Sequence, residues 1–339
     1  MKEMSLKSVA RNIIASARYG SGNMLSGLTG KVIILMYHRV VTEKELKASF
    51  IQPGMYVQKN IFDMQMKFLK DNFHILSFAE LLEMWRENRW DNTKKYCVIT
   101  FDDGWIDNYL NAYPVLKSYA IPATIFLPTA MIGTDKWFWP ERLAYLLHKA
   151  GEMRLDLQQI AWKYSVMEHI KKSCGNREID MLIEKCKTIP EEQIEELIAD
   201  ICQITEVEVP KERILMNWDE VAEMSDSGIS FGSHSCTHKI LTKCLPVMAQ
   251  QEIENSMADL KERNISHLSV LCYPNGDCTK EIAEQVKAAG YEAAVSTSSG
   301  VEGLKPGDLF RLKRRGVHND ISSTKALFAY RIMRGLSQS

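Results

Sequence analysis

What most constrains this 339-residue chain is a rhythm: apolar runs of strand length alternate with segments whose apolar residues recur at helical spacing. That alternation is the mark of β/α units feeding a largely parallel sheet. Lys31 to Tyr37 reads as a buried strand, followed by a loop to about Gln58 and a helix carrying Ile61, Met64, Phe68 and Leu69. Further strands are expected at His74–Leu76, Tyr96–Phe101, Ala123–Leu127, Ile229–Phe231, Leu268–Cys272, Glu292–Ser296 and Phe310–Val317, with a helix from about Ile106 to Tyr119. Ser77 with Glu80 forms a capping box, Asn217 and Thr279 are N-cap residues, and Gly228 and Gly290 stop helices. One interval breaks the rhythm. From about 135 to 216 the chain is helical and polar, an inserted excursion that leaves the sheet or barrel intact.

With 45% hydrophobic and 25% charged residues, the chain is a globular one rather than a disordered or membrane-embedded one. Its formal net charge of -1 gives no footing for a nucleic-acid partner. The balance is uneven, however: residues 1–31 carry five basic groups against Glu3, and residues 305–339 carry eight against Asp308 and Asp320. Basic ends suit contact with a phosphate-bearing molecule or a membrane surface at its periphery, and equally suit plain solvated helix faces. Leu6, Val9, Ile13 and Ile14 fall at helical spacing, which predicts an N-terminal helix packed on the body of the protein. The eight cysteines show no C-x-x-C pair and no framework, so they read as free thiols in a reducing compartment. Neither a secretory h-region nor an 18-residue apolar stretch occurs, and a cytoplasmic location is the expectation.

The chemistry sits where α/β folds place ligands, at the C-terminal ends of strands. Four of the expected strands end in reactive groups: His38, Asp102–Asp103, His234, and Tyr273–Pro274–Asn275–Gly276. Adjacent aspartates at a strand end diverge and can do two jobs, one toward a metal and one toward a reacting water. His234 and His238, four apart, make with one carboxylate a three-ligand set that leaves a coordination position open. Imidazole nitrogen favours zinc and other borderline divalent ions. Cys236, between the histidines, is expected to point away from the face they share. An Asp-Asp-Gly alone is usually a turn, and His at i, i+4 alone is usually coincidence; their joint occurrence at different strand ends is what carries the reading.

Thr100–Gly104 (TFDDG) and Gly232–His238 (GSHSCTH) resemble the first two motifs of the polysaccharide deacetylases, the NodB-homology group or carbohydrate esterase family four. Ile34–Val40 (ILMYHRV), the WDEVAEMSDSG run and Cys272–Gly276 (CYPNG) resemble the circularly permuted, exopolysaccharide-type branch, in which the histidine strand comes first. The resemblance covers roughly residues 31 to 318. It implies a distorted, TIM-like (β/α) barrel of about seven strands spanning 31–331, with the helical insertion at about 135–216 and an N-terminal helical segment at 1–30. It further implies Asp102 as general base, Asp103, His234 and His238 as metal ligands, His38 as general acid, and the backbone N–H of Asn275 as an oxyanion donor. The family's third motif commonly begins with Arg and has an aromatic before its Gly; here Cys272 and Asn275 stand at those places. Arg314 is the first candidate to replace that Arg beside the base, and Arg311 the second. His318 reads as a solvated loop residue.

Trp105, Tyr273 and Trp139 are the candidates for contact with a sugar ring, Trp139 belonging to a Trp137–Phe138–Trp139 cluster that serves as well for core. The reaction expected is metal-dependent hydrolysis of an N-acetyl or similar N-acyl group on an amino sugar. Zinc is the expected metal, with cobalt, nickel and manganese as alternatives, and since no export signal is evident the expected substrate is an intracellular lipid- or nucleotide-linked saccharide precursor instead of finished cell-wall polymer. Two competing readings are a C–N hydrolase acting on a formamide or a cyclic non-sugar amide, and a non-catalytic carbohydrate-binding relative.

Overall fold

The computed structural model describes residues 6–20, 24–48, 50–161, 163–167 and 175–334. Its contacts divide the chain into two compact units, one from residues 1–42, 54–134 and 215–339, the other from Glu43–Pro53 and Asp135–Ile214.

The first unit is a closed barrel of seven parallel strands. They are β1 (Lys31–Tyr37), β2 (Tyr96–Phe101), β3 (Ala123–Leu127), β4 (Ile229–Ser233), β5 (His267–Cys272), β6 (Ala293–Ser299) and β7 (Leu312–Gly316). Each pairs with the next in chain order, and β7 closes on β1 with Leu35 opposite Arg315 and Met36 opposite Gly316. The longest pairing is β1 with β2, where Val32 to Tyr37 run opposite Tyr96 to Phe101. The short strand His74–Ile75 pairs with the start of β2, and Glu302–Gly303 runs antiparallel to the start of β1.

Alternation along the strands decides what fills the barrel. Val32, Ile34, Val98, Phe126, Val270, Val295 and Leu312, all buried, form one apolar cluster from six of the seven strands. The next positions of the same parity are Thr100, Cys272 and Arg314, so the fill turns polar toward the C-terminal end. The seventh strand, β4, enters through Gly232, where any Cβ would lie 2.7 Å from the Phe126 ring and 2.8 Å from the Val270 carbonyl oxygen. Around the barrel, the expected capping box forms, Ser77 with Glu80 opening helix Phe78–Glu87, and the expected N-cap Asn217 makes a second one with Glu220 at the start of helix Trp218–Asp226. Thr279 caps helix Lys280–Ala288. Such caps are worth about 1 kcal/mol each because they satisfy amide N–H groups that the first turn leaves unpaired.

The N-terminal helix Leu6–Gly20 buries Ala15 and sets Tyr19 beside Phe68, with ring centroids 6.3 Å apart and the rings tilted by 40°. Its apolar residues do not all follow: Ile13 is 65% exposed and Ile14 45%. Among the described residues no helix is long and apolar enough to cross a membrane, and the described cysteines are free thiols; Cys174 lies outside them.

The second unit is helical. Helices Trp139–Glu152, Asn176–Cys186 and Glu191–Thr205 each present a stripe at i, i+3, i+4, i+7: Leu143, Leu146, Leu147 and Ala150; Ile179, Leu182, Ile183 and Cys186; Ile194, Leu197, Ile198 and Ile201. These stripes meet in one apolar core. The segment Glu43–Pro53, which the sequence presents as loop, belongs to this unit and contains a helix at Glu43–Ala48. Gln52 ties it in by donating to Asp180 and Glu184.

Candidate active site

Parallel strands point their C-terminal ends the same way, so the groups that follow β1, β2, β4 and β5 gather at one end of the barrel. Asp102 and Asp103 leave β2 buried, 2% and 4% exposed. Asp103 has φ 76°, and this turn aims the two carboxylates apart. Gly104 follows with φ +69°, the left-handed region that favours glycine, and a Cβ there would sit 2.7 Å from Leu127 Cδ2, so a larger residue would strain the backbone and displace that side chain.

Asp102 is held by Arg314, which reaches it from β7 across the barrel. Nη1 donates to Oδ1 at 2.6 Å and Nη2 to Oδ2 at 2.7 Å. The remaining donors of the guanidinium are also engaged: Nε to the Ser296 carbonyl at 3.0 Å, Nη1 to Thr100 Oγ1 at 3.1 Å and Nη2 to Cys272 Sγ at 3.1 Å. Arg314 is fully buried and lies 5.7 Å over the Phe126 ring, at the boundary between apolar fill and polar end. Burial alone would raise the Asp102 carboxyl, but the charge and hydrogen bonds of Arg314 win and hold it below the ordinary carboxylate range. Arg311, the second candidate, is exposed and does not take this role. Cys272 stands where the resemblance expects Arg, and its small buried side chain leaves room for Arg314.

Asp103 faces the histidines. Its Oδ1 lies 3.3 Å from His234 Nε2 and 3.3 Å from His238 Nε2, and its Oδ2 accepts from the Trp105 indole N–H at 2.9 Å. His234 Nδ1 pairs with the Cys272 carbonyl oxygen at 2.8 Å; that partner accepts only, so Nδ1 carries a proton and Nε2 is the atom turned toward Asp103, and despite burial the Cys272 and Asp103 groups raise His234 well above the ordinary imidazole value. Desolvation raises the Asp103 carboxyl, yet hydrogen bonds from both histidines pull it well below the usual range. His238 is lowered, chiefly by burial, which favours the neutral, ligating imidazole. One ligand atom from each of Asp103, His234 and His238 lies within 4.8 Å of the other two. Two imidazole nitrogens and one carboxylate oxygen, with one nitrogen already oriented by a backbone carbonyl, fit a zinc-type ion with a coordination position to spare. Cys236 points away as expected, its sulfur 3.7 Å from Thr129 Oγ1.

His38 follows β1, partly exposed, with Nε2 3.9 Å from Asp102 Oδ2. Its backbone is fixed by residues that sequence reasoning passed over. A π-helical turn at Asn108–Ala112 interrupts the expected helix, and the residues in and before it reach the loop after β1. Asn108 Nδ2 donates to the His38 carbonyl at 2.7 Å, Asn111 Nδ2 donates to the Val40 carbonyl at 2.9 Å, and Asp107 Oδ1 accepts from the Val40 N–H at 2.8 Å. Asp107 Oδ2 also accepts from Arg39 Nε at 2.8 Å, placing that guanidinium 4.5 Å over the Trp105 ring.

Three residues expected to touch substrate are engaged elsewhere. Trp105 is 1% exposed, its face under Arg39 and its N–H on Asp103, so it supports the carboxylate. Tyr273 is fully buried in an apolar cluster and its hydroxyl donates to the Phe310 carbonyl at 3.0 Å. Trp139 packs against the core of the second unit, which corrects the aromatic-platform reading toward core. Asn275 is exposed in a left-handed turn, φ 59°, with Nδ2 donating to Asp277 at 2.9 Å. His318 is not a solvated loop residue: it is half-buried, burial pushes it down to about 4, and Nδ1 is a buried atom without a hydrogen-bond partner among the described residues.

This constellation on a closed seven-stranded barrel coincides with a family match: the profile described as polysaccharide deacetylase covers residues 89–294. The chain belongs to the polysaccharide deacetylase family. It is accordingly a hydrolase of carbon–nitrogen bonds other than peptide bonds. Among curated proteins it is similar to YxkH of Bacillus subtilis, 25% identical over 295 residues, which are 87% of this chain and 74% of that one. It is also similar to the poly-beta-1,6-N-acetyl-D-glucosamine N-deacetylase of Staphylococcus aureus, 32% identical over 137 residues, covering 37% of this chain and less than half, 45%, of the relative. Two solved structures share the fold. The Streptococcus pyogenes deacetylase PplD in complex with acetate aligns with TM-score 0.56 at 22% identity over 86% of this chain and 95% of that one. IcaB from Ammonifex degensii aligns with TM-score 0.57 at 18% identity over 88% and 97%.

Proposed function

We propose that this deacetylase hydrolyses the N-acetyl group of an amino sugar within a polysaccharide, using a divalent ion, zinc by the chemistry of the donor set, held by Asp103, His234 and His238. The observation that carries the reading is the pairing, at one barrel end, of a buried carboxylate kept ionised by Arg314 with a three-donor cluster that is separate from it. When bound, the ion supplies Lewis acidity for the acyl group and the attacking water. Asp102 takes a proton from that water, and Arg314 keeps its carboxylate ionised and fixed in direction. The backbone N–H of Asn275 donates to the oxygen that becomes negative as the acyl carbon turns tetrahedral. His38, beside Asp102 and partly open to solvent, gives a proton to the leaving amine as the C–N bond breaks. Water thus adds hydroxyl to the acyl carbon, acetate departs, and the sugar nitrogen ends as an amine. The named activity of the Staphylococcus aureus relative favours a polymer of N-acetylglucosamine over a precursor.

Acetate release is the direct test, measured on β-1,6-linked N-acetylglucosamine oligomers, nucleotide-linked N-acetyl sugars, a formamide and a cyclic amide, with and without chelator. We expect turnover of the oligomers, its loss on chelation and recovery with zinc, and a fall of about 10²–10⁴-fold in Asp102→Asn. Full activity in that variant or in chelated protein sinks the mechanism, and turnover of only the nucleotide sugar or only the non-sugar amides moves the substrate.

A further inference from the structure

The segment that carries the two histidines departs from ordinary backbone. Ser235 has φ 61° and His238 φ 63°, conformations that cost non-glycine residues about 1–3 kcal/mol each unless the surroundings enforce them. The enforcement comes from helix Pro246–Glu262, which turns one polar face, Glu252, Ser256 and Asp259 at i, i+4 and i+7, toward the strand exits. Glu252 Oε2 accepts from two consecutive backbone groups, the Cys236 N–H at 2.9 Å and the Thr237 N–H at 2.8 Å, and its Oε1 accepts from Thr237 Oγ1 at 2.5 Å. Two successive N–H groups aimed at one point form a concave anion seat, and here a side chain of the same protein fills it. The bracing continues on both sides. Ser256 Oγ lies 2.7 Å from Ser233 Oγ, which accepts from the Ser235 N–H at 3.1 Å, and Asp259 Oδ2 accepts from Thr129 Oγ1 at 2.5 Å. Ser235 Oγ in turn accepts from the His238 N–H at 3.1 Å.

We infer that Glu252 is a positioning residue for the metal-binding histidines: it clamps the peptide groups of Cys236 and Thr237 so that His234 and His238 converge on Asp103. The inference rests on the reading that Asp103, His234 and His238 hold a divalent ion. Position, not charge, is the operative property, because the two amide N–H groups need one oxygen at that reach, while the Thr237 hydroxyl can reverse its bond to accept from an amide nitrogen. Glu252 lines a cavity of about 520 Å³ together with Thr237, Lys239, Gln251 and Asn255, so water can solvate the two amides when the side chain is shortened. The apo fold therefore survives the loss, while the pre-arrangement of the ligands does not.

The test measures zinc affinity by competition with a chromophoric chelator and the visible absorption of the cobalt(II) form, alongside the melting temperature of metal-free protein. Glu252→Ala and Glu252→Asp, the latter keeping the charge but one methylene short, should weaken zinc binding about 10–100-fold and alter the cobalt spectrum. Glu252→Gln, which keeps an acceptor at the same reach, should stay within about threefold of wild type, and activity of Glu252→Ala should return at saturating zinc. Wild-type affinity in Glu252→Asp, or equal losses in Glu252→Gln and Glu252→Asp, overturns the inference. If Glu252→Ala does not fold, the Gln and Asp variants decide alone. A wild-type protein that binds neither zinc nor cobalt defeats the metal reading instead, a different outcome from normal binding in every variant.

Discussion

The barrel unit and the helical unit bury different things. In the helical unit the buried core is a set of apolar stripes, and the one buried polar residue described there, Thr205, spends its hydroxyl on the Ile201 carbonyl of its own helix. In the barrel unit Asp102, Asp103, Asp107, His234, Arg314 and Arg315 are all buried. Desolvating charges is expensive, and an apolar filling of similar volume is often as stable or more so. The contrast separates a region whose interior serves folding from one whose interior is held in place by mutual hydrogen bonds for another purpose.

Mutations can break that contrast. The largest effect should come from Arg314→Met, which leaves Asp102 buried without its counter-charge and costs about 3–5 kcal/mol in urea unfolding together with most of the activity. In the helical unit Leu197→Ala should cost about 2–5 kcal/mol by opening a cavity, with acetate release per folded molecule unchanged. If that release falls too, the two interiors are not separable in the way described. Trp105→Phe keeps an aromatic ring, though a smaller one, but removes the N–H given to Asp103, a charged hydrogen bond worth about 1.5–3 kcal/mol, and should weaken zinc binding as well as the fold. Acid sharpens the same point. Because the carboxyls of Asp102 and Asp103 are depressed in the folded state, the stability they add is complete above the unfolded value of about 4 and is lost as pH falls through the folded values. Melting temperature should begin to fall below about pH 6.5, where the unfolded His318 imidazole takes up a proton that the folded one, held down to about 4, does not, and drop further below about 4, more gently there in Asp102→Asn, which lacks one of the two carboxylate contributions. The smallest effect belongs to Asn217→Ala, about 1 kcal/mol from a lost capping box with activity intact.

Much of the barrel was legible because its signals are local. β1, β2 and β3 fall where continuous apolar runs stop at polar residues, and Ser77, Asn217 and Thr279 announce helix starts with their own side chains. β6 runs three residues past its expected end, since a polar stretch such as Thr297–Ser299 pairs through backbone alone, and β7 starts two residues later than expected. Site residues at strand ends were legible too, and Arg314 was reached only through the family resemblance, as the first candidate to replace the Arg missing from the third motif. What sequence reasoning lacked is the third dimension: nothing near Asp107, Asn108, Asn111 or Glu252 says that they grip backbone 67 to 71 residues away, or 15 to 16 in the case of Glu252. Trp105 and Tyr273 were misread for the opposite reason. An aromatic beside a motif suggests an exposed face, and only the packing reveals that Arg39 and the Phe310 carbonyl have already claimed them.

The pair formed by Asp102 and Arg314 is separated by 212 residues. A chain emerging from the ribosome completes its first three strands and both aspartates long before the cation that fixes Asp102 exists. Since β7 is also the strand that joins β1, the same event that shuts the ring delivers the arginine. A nascent or C-terminally truncated molecule therefore lacks the cation that fixes Asp102, and the closing of the ring and the fixing of that carboxylate are one event.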